Sequence, residues 1–223
     1  MRARPFVHSK QRFIARSVIM LINFTIRTSM NKRLGFTLIE LLITIAVIAV
    51  VIALGIPGLN QYAERNRSAS QTNLIVGTIA NARAEAIKRG IDVTICASST
   101  PTAATPSCDT AQWELGWIVF ADKDQNGNYD TGANKDVLLG VSDKLGSGLT
   151  LRSVGFTDLT KIRVQSNGAI RGTAGTFKIC TQDADAKKAK GINVSTLGLT
   201  STAQDTDSNN IVNDINGNDV TCP

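Results

Sequence analysis

Histidine is almost absent from this chain. The one imidazole among 223 residues is His8, inside a basic N-terminal segment. Should that segment be removed, no imidazole remains for acid–base catalysis or metal ligation. Aromatic residues are scarce at 5%, charged residues make up 19% and apolar residues 43%. That balance belongs to an ordinary globular protein; it excludes a disordered tail, a collagen-like fibre and a polytopic membrane protein. The four cysteines include no CxxC pair, which disfavours a zinc knuckle or a redox-active dithiol. Beyond the basic segment there is no Ser-x-x-Lys or Gly-x-Ser-x-Gly pattern, and no Walker or Rossmann loop follows a strand. The chain reads as non-enzymatic, with no catalytic residue and no cofactor.

The charge is unevenly placed. Arg2, Arg4, Lys10, Arg12, Arg16, Arg27, Lys32 and Arg33 precede residue 36, and no acid does. Taking those eight from 24 bases leaves 16 against 18 acids, so the remainder is slightly acidic. Directly after the basic segment, residues 36–56 form an apolar run whose one charge is Glu40. As a helix rising about 1.5 Å per residue, it spans roughly 31 Å, close to a ~30 Å bilayer core. Lys32 and Arg33 lie before it, and Glu64, Arg65 and Arg67 follow only after a polar turn. The positive-inside rule then puts the N-terminus in the cytoplasm and the body outside. A secretory signal peptide places its small-residue cleavage site after the apolar run; here Gly35 comes before it.

Lys32-Arg33-Leu34-Gly35 followed by Phe36-Thr37-Leu38-Ile39-Glu40-Leu41 resembles the leader junction of type IV pilins and type II secretion pseudopilins. The resemblance implies cleavage by prepilin peptidase between Gly35 and Phe36, N-methylation of Phe36, and a helix kinked at Pro57. Met30-Asn31-Lys32-Arg33-Leu34-Gly35 is a complete short leader, so residues 1–29 are read as a start set too early, with a long basic leader as the alternative. An acid in hydrocarbon costs on the order of 2.5–3.5 kcal/mol on insertion scales, so Glu40 needs a reason. The resemblance implies an assembly role, in which Glu40 pairs with the new α-ammonium of a neighbouring subunit. The alternative is a carboxylate that reaches the interface.

Beyond Pro57 the helical pattern continues to Arg89, with Tyr62, Ala69, Val76, Ile79, Ala80, Arg83, Ala86 and Ile87 at spacings of three and four. Gly90 is placed to end the helix in a left-handed conformation. From residue 91 the period changes. Segments 92–96, 116–121, 137–141, 149–154, 161–165, 176–181 and 192–196 read as strands, with turn signals at Asn126-Gly127 and Asn167-Gly168. The expected class is α+β, a long kinked helix with a β-rich head covering its apolar stripe. The domains expected are a leader 1–35, a membrane helix 36–56, a continuing helix 57–90 and a head 91–223 with a polar tail.

Gly116-Trp117-Ile118-Val119-Phe120-Ala121-Asp122 is similar to a signature of the GspH/FimT-type minor pseudopilins, which implies a pilin-like fold with two small sheets. Trp117, Val119 and Leu115 are expected to face inward. Four cysteines in a periplasmic head admit three disulfide pairings; Cys96–Cys108 and Cys180–Cys222 are favoured.

Asp122-Lys123-Asp124-Gln125-Asn126-Gly127-Asn128-Tyr129-Asp130 reads like the start of a calcium loop, but the twelfth position is Ala133 instead of glutamate. A surface turn is the preferred reading, and a weak site using Asp122, Asp124, Asn126 and Asp130 the alternative. The tail acids Asp205, Asp207, Asp214 and Asp219, with Asn209 and Asn216, read as a solvated loop. DNA binding is the rival function, and Lys187, Lys188 and Lys190, with Arg163 and Arg171, are its candidates. Gly198-Leu199-Thr200-Ser201 lacks the arginines of the DNA-binding FimT subgroup.

The resulting expectation is a minor pilin or pseudopilin in the bacterial inner membrane, its N-terminus cytoplasmic and its head periplasmic. Its expected partners are prepilin peptidase, other major and minor subunits, and the inner-membrane assembly platform of a type II secretion pseudopilus or type IV pilus. A calcium-binding anchored domain is a further alternative.

Overall fold

A computed structural model of the chain describes residues 36–132, 135–146 and 148–223, the side chains of 53–61 excepted. Gly35 and the leader lie outside the described residues. The chain divides into units Met1–Ala53 and Leu54–Pro223.

In the first unit, α1 begins. The helix runs Leu38–Arg89, and Thr37 is its N-cap. Glu40 N donates to Thr37 Oγ1 at 3.3 Å, and Leu41 N donates to Thr37 O at 3.1 Å. Thr-x-x-Glu is the capping-box spacing, which supplies the first turn with acceptors for its unpaired N–H groups. Every described residue from Phe36 to Ile52 is exposed. Among the described residues, no helix is long and apolar enough to cross a membrane. The assignment of α1 passes through Pro57, whose side chain is outside those described.

In the second unit, the C-terminal part of α1 packs on two antiparallel sheets. The strands are β1 (Asp92–Ala97), β2 (Trp117–Asp122), β3 (Val137–Ser142), β4 (Leu149–Val154), β5 (Lys161–Val164), β6 (Gly175–Thr181), β7 (Lys190–Val194) and β8 (Thr200–Thr202). They assemble in the orders β3-β2-β1-β5 and β4-β6-β7-β8. The α+β class and the seven expected strands are present; β8 was not anticipated. Gly90, at φ +68°, ends α1 with its N–H on Ala86 O at 2.9 Å.

The core lies between α1 and both sheets. Ile75, Ile79, Ala82 and Ala86 from α1 meet Val93, Ile95, Ile162, Val164, Leu151, Phe177, Ile179, Ile192 and Val194. The helical stripe is therefore turned from the one expected: Ile79 and Ala86 are buried, but Tyr62, Ala80 and Ile87 are exposed. Alanine and isoleucine occupy both faces of α1, so composition sets the period but not its phase. Trp117 is buried, and Val119 and Leu115 are half-buried.

Each sheet's outer face is covered as well. On the first, Cys96, Ile118 and Phe120 cluster with Cys108 and Tyr129, and Cys96 is bonded to Cys108. On the second, Cys180, Ala189 and Val220 cluster with Val212 and Cys222, and Cys180 is bonded to Cys222. The tail from Asp205 thus folds onto the sheet, with Ile215 N donating to Thr176 Oγ1 at 2.9 Å. Gly198, at φ +72°, sits where a Cβ would lie 2.4 Å from Gly168 O, so two turns meet there only through a residue without a side chain.

Candidate functional site

The first candidate is the N-terminal junction. Phe36 is 79% exposed and immediately precedes the capping residue Thr37. Glu40, in the first turn of α1, is exposed and stands where the helix dipole favours an anion. Its backbone belongs to the cap, a role not evident in the sequence reading. Thr44 Oγ1 donates to Leu41 O at 2.8 Å, so this hydroxyl is satisfied within the helix. Gly35 falls outside the described residues.

The second candidate is the turn after β2. Successive strand residues point to opposite faces, which places Asp122 on the outer face of the first sheet beside Thr94. Asp122 is 1% exposed. Its Oδ2 accepts from Thr94 Oγ1 at 3.0 Å and from Gly127 N at 2.9 Å, and lies 3.7 Å from Arg163 Nη2. Its Oδ1 is buried with no hydrogen-bond partner. Burial pushes the Asp122 carboxyl up, and the nearby Asp136 adds to this; Thr94, Gly127 and Arg163 oppose the rise.

The turn then winds round a set of oxygens. Asn126 Nδ2 donates to Asp124 Oδ2 at 2.8 Å and to Asp130 Oδ2 at 2.6 Å. Asp136 returns to the start of the turn, its Oδ1 accepting from Lys123 N and its Oδ2 from Asp130 N, both at 2.9 Å. Asp122, Asp124 and Asp136 each place one carboxylate oxygen within 4.8 Å of the others. The sequence reading anticipated Asp122 and Asp124 and missed Asp136, which is fourteen residues beyond Asp122 and outside any fixed loop spacing. Asn126 and Asp130 join the cluster through hydrogen bonds.

The lysines form a third group. Asp185 caps the short turn Ala186–Lys188 by accepting from Lys187 N at 3.0 Å. Lys188 is paired with Asp183, and that contact, with the Thr181 hydroxyl, lowers the Asp183 carboxyl to about 2. Lys190 opens β7 opposite Ile179. Glu64 and Arg65 border the same groove. Arg171 donates to Asp92 Oδ2 at 2.7 Å, and Arg163 to Gln125 O. Lys188, Arg163 and Arg171 are thus each paired with an aspartate, while Arg65, Lys187, Lys188 and Lys190 line the groove with Glu64 as its one acid among the described residues.

Comparisons with known proteins follow the same division. The family model of the type II transport protein GspH matches residues 71–198, and that of the prokaryotic N-terminal methylation motif matches residues 30–56. Fimbrial protein Q of Moraxella bovis is 35% identical over 83 residues, 37% of this chain and 47% of that protein. The chain thus spans about half the length of that relative. The type IV minor pilin FimU of Pseudomonas aeruginosa aligns with a TM-score of 0.48 at 18% identity, over 64% of this chain and 92% of that one. The minor pseudopilin EpsH of the Vibrio cholerae type 2 secretion system aligns at 0.43 and 13%, over 61% and 95%. With its helix, its two sheets and a profile match over most of the head, the chain belongs to the GspH family of pilin- and pseudopilin-type structural subunits.

Proposed function

We propose that this protein is a minor subunit of a type IV pilus or type II secretion pseudopilus, assembled through α1 and contributing its head as a contact surface. Prepilin peptidase cuts between Gly35 and Phe36, and Phe36 becomes the methylated N-terminus. Residues 36–56 hold the subunit in the inner membrane, N-terminus cytoplasmic and head periplasmic, until the helix enters the filament. Pro57 bends the helix past the membrane. Glu40 pairs with the α-ammonium of the adjoining subunit and sets its axial position, because a carboxylate surrounded by hydrocarbon requires a cation or a polar partner.

One observation carries the reading. A capped helix begins within two residues of the Gly35–Phe36 junction, and its described apolar side chains, Phe36 to Ile52, are all exposed. A stretch so apolar is stable only once lipid or neighbouring helices cover it. Intact-mass measurement of the membrane-extracted protein tests it. The expected mass is that of residues 36–223 plus one CH2 for the N-methylation, less four hydrogens for two disulfides. A mass retaining Lys32 and Arg33, or one beginning after Ile56, overturns the proposal. Replacing Gly35 by a bulky residue is expected to leave the leader attached.

A further inference from the structure

The turn between β2 and β3 carries an inference independent of filament assembly. We infer that Asp122, Asp124 and Asp136 form a calcium site on the outer face of the first sheet, with Asp130 at its rim.

The first ground is spacing. Calcium takes oxygen ligands at about 2.3–2.6 Å, so two oxygens on opposite sides of one ion are roughly 4.8 Å apart. The three carboxylates bring oxygens within that distance of each other. Asn126 Nδ2, bonded to both Asp124 and Asp130, holds a fourth carboxylate beside them.

The second ground is the spare oxygen of Asp122. A buried polar atom without a partner is rare and costly. Asp122 divides its two oxygens unequally. Oδ2 accepts from Thr94 and Gly127 and faces Arg163, whereas Oδ1, in a residue 1% exposed, is left without a donor. Among the described residues no group donates to it, and a bound cation would meet that demand. Asp136, also buried, adds a second negative charge whose oxygens each hold only one backbone donor. Arg163 offsets part of this charge, and Lys161 and Arg171 reach the same turn at Gly127 O and Gln125 Oε1.

The donor set selects the ion. Every candidate ligand is a hard oxygen, and neither imidazole nor thiolate is present, which disfavours zinc and copper. Four carboxylates on a winding turn suit the large, flexible calcium shell better than the octahedral one of magnesium, which keeps its waters.

The test is calorimetric titration of the processed full chain in detergent, first stripped with a chelator, using calcium alone and then magnesium alone. One calcium per chain is expected, with Kd on the order of 10⁻⁴–10⁻³ M as in extracellular modules, together with a higher unfolding temperature. Asp124→Asn is the informative variant, because Asp124 is exposed and its loss leaves the fold intact; at least a tenfold weakening is expected. Asp136→Asn should weaken binding as much. Asp205→Asn, in the acidic tail, should leave it unchanged. The inference is overturned by no binding at calcium tenfold above that range, by binding that survives Asp124→Asn, by its loss in Asp205→Asn, or by magnesium binding as tightly as calcium.

Discussion

The indole of Trp113 stands edge-on to the ring of Phe177, the centroids 4.8 Å apart and the planes at 82°. Trp113 belongs to the short turn Trp113–Leu115 ahead of β2, and Phe177 to β6, so the aromatic pair ties that turn to the second sheet. The indole Nε1 donates to Leu159 O at 2.9 Å and to Ser153 Oγ at 3.2 Å. Trp113→Ala is expected to cost about 3–5 kcal/mol, the range for a buried aromatic replaced by a cavity. Trp113→Phe should cost clearly less, because Ser153 Oγ donates to Leu159 O at 2.6 Å and keeps that carbonyl satisfied. Urea unfolding of the two variants in detergent checks the order.

The disulfides should differ in weight. Cys96–Cys108 closes a separation of 12 residues and Cys180–Cys222 one of 42. On the chain-entropy account these contribute roughly 3 and 4 kcal/mol. Replacing both cysteines of the longer bridge with serine is therefore expected to lower stability more, and also to free the tail covering the second sheet. Hydrogen exchange should locate that loosening at residues 176–181 and 205–222.

Glu40→Ala should leave export and cleavage intact and remove the subunit from filaments. The comparison is between membrane-extracted protein and sheared filament, each probed for the same head. Undiminished incorporation would eliminate the pairing role and leave Glu40 with its place in the helix cap alone.

A pH dependence follows from Asp109. Its Oδ1 accepts from Ser99 N at 2.8 Å and its Oδ2 from Ser99 Oγ at 2.6 Å, and the Ser99 hydroxyl is the main cause that draws the carboxyl below the ordinary aspartate range. A depressed pKa gives stability that is present above the unfolded value and lost as pH falls through the folded one. Wild type should exceed Asp109→Asn by no more than about 1 kcal/mol at neutral pH, since the group is exposed. That gap should close on acidification. A gap that widens in acid would reverse the sign.

How far the sequence reaches depends on the kind of signal. The junction at Gly35-Phe36 and the apolar run are local and legible without coordinates. Strands β1 to β7 show as apolar, β-branched segments between turn residues. Strand β8 does not, because Thr200, Ser201 and Thr202 carry no large apolar side chain; it forms by pairing with Ile192, Asn193 and Val194. The phase of α1 was lost for the reason that Ile87 and Ala80 look as apolar as Ile75 and Ala82. Asp136 was missed because its nearness to Asp122 is made by the return of the chain into β3, which no spacing rule encodes. Of the three possible disulfide pairings the sequence already favoured Cys96–Cys108 and Cys180–Cys222, and the structure has those two bridges, one on each outer face.

The arrangement of those faces has a mechanical side. Tension applied along α1 enters the sheets through the methyl groups of Ile75, Ile79, Ala82 and Ala86 and through the Arg83 guanidinium, whose Nε reaches Gly168 O at 3.2 Å. Both cystines sit on the far sides of the sheets, and neither joins α1 to them. Under traction the helix holds the head through its own backbone at Gly90 and Ile91 and through these contacts, not through a cystine, and reducing agents should leave that hold unchanged.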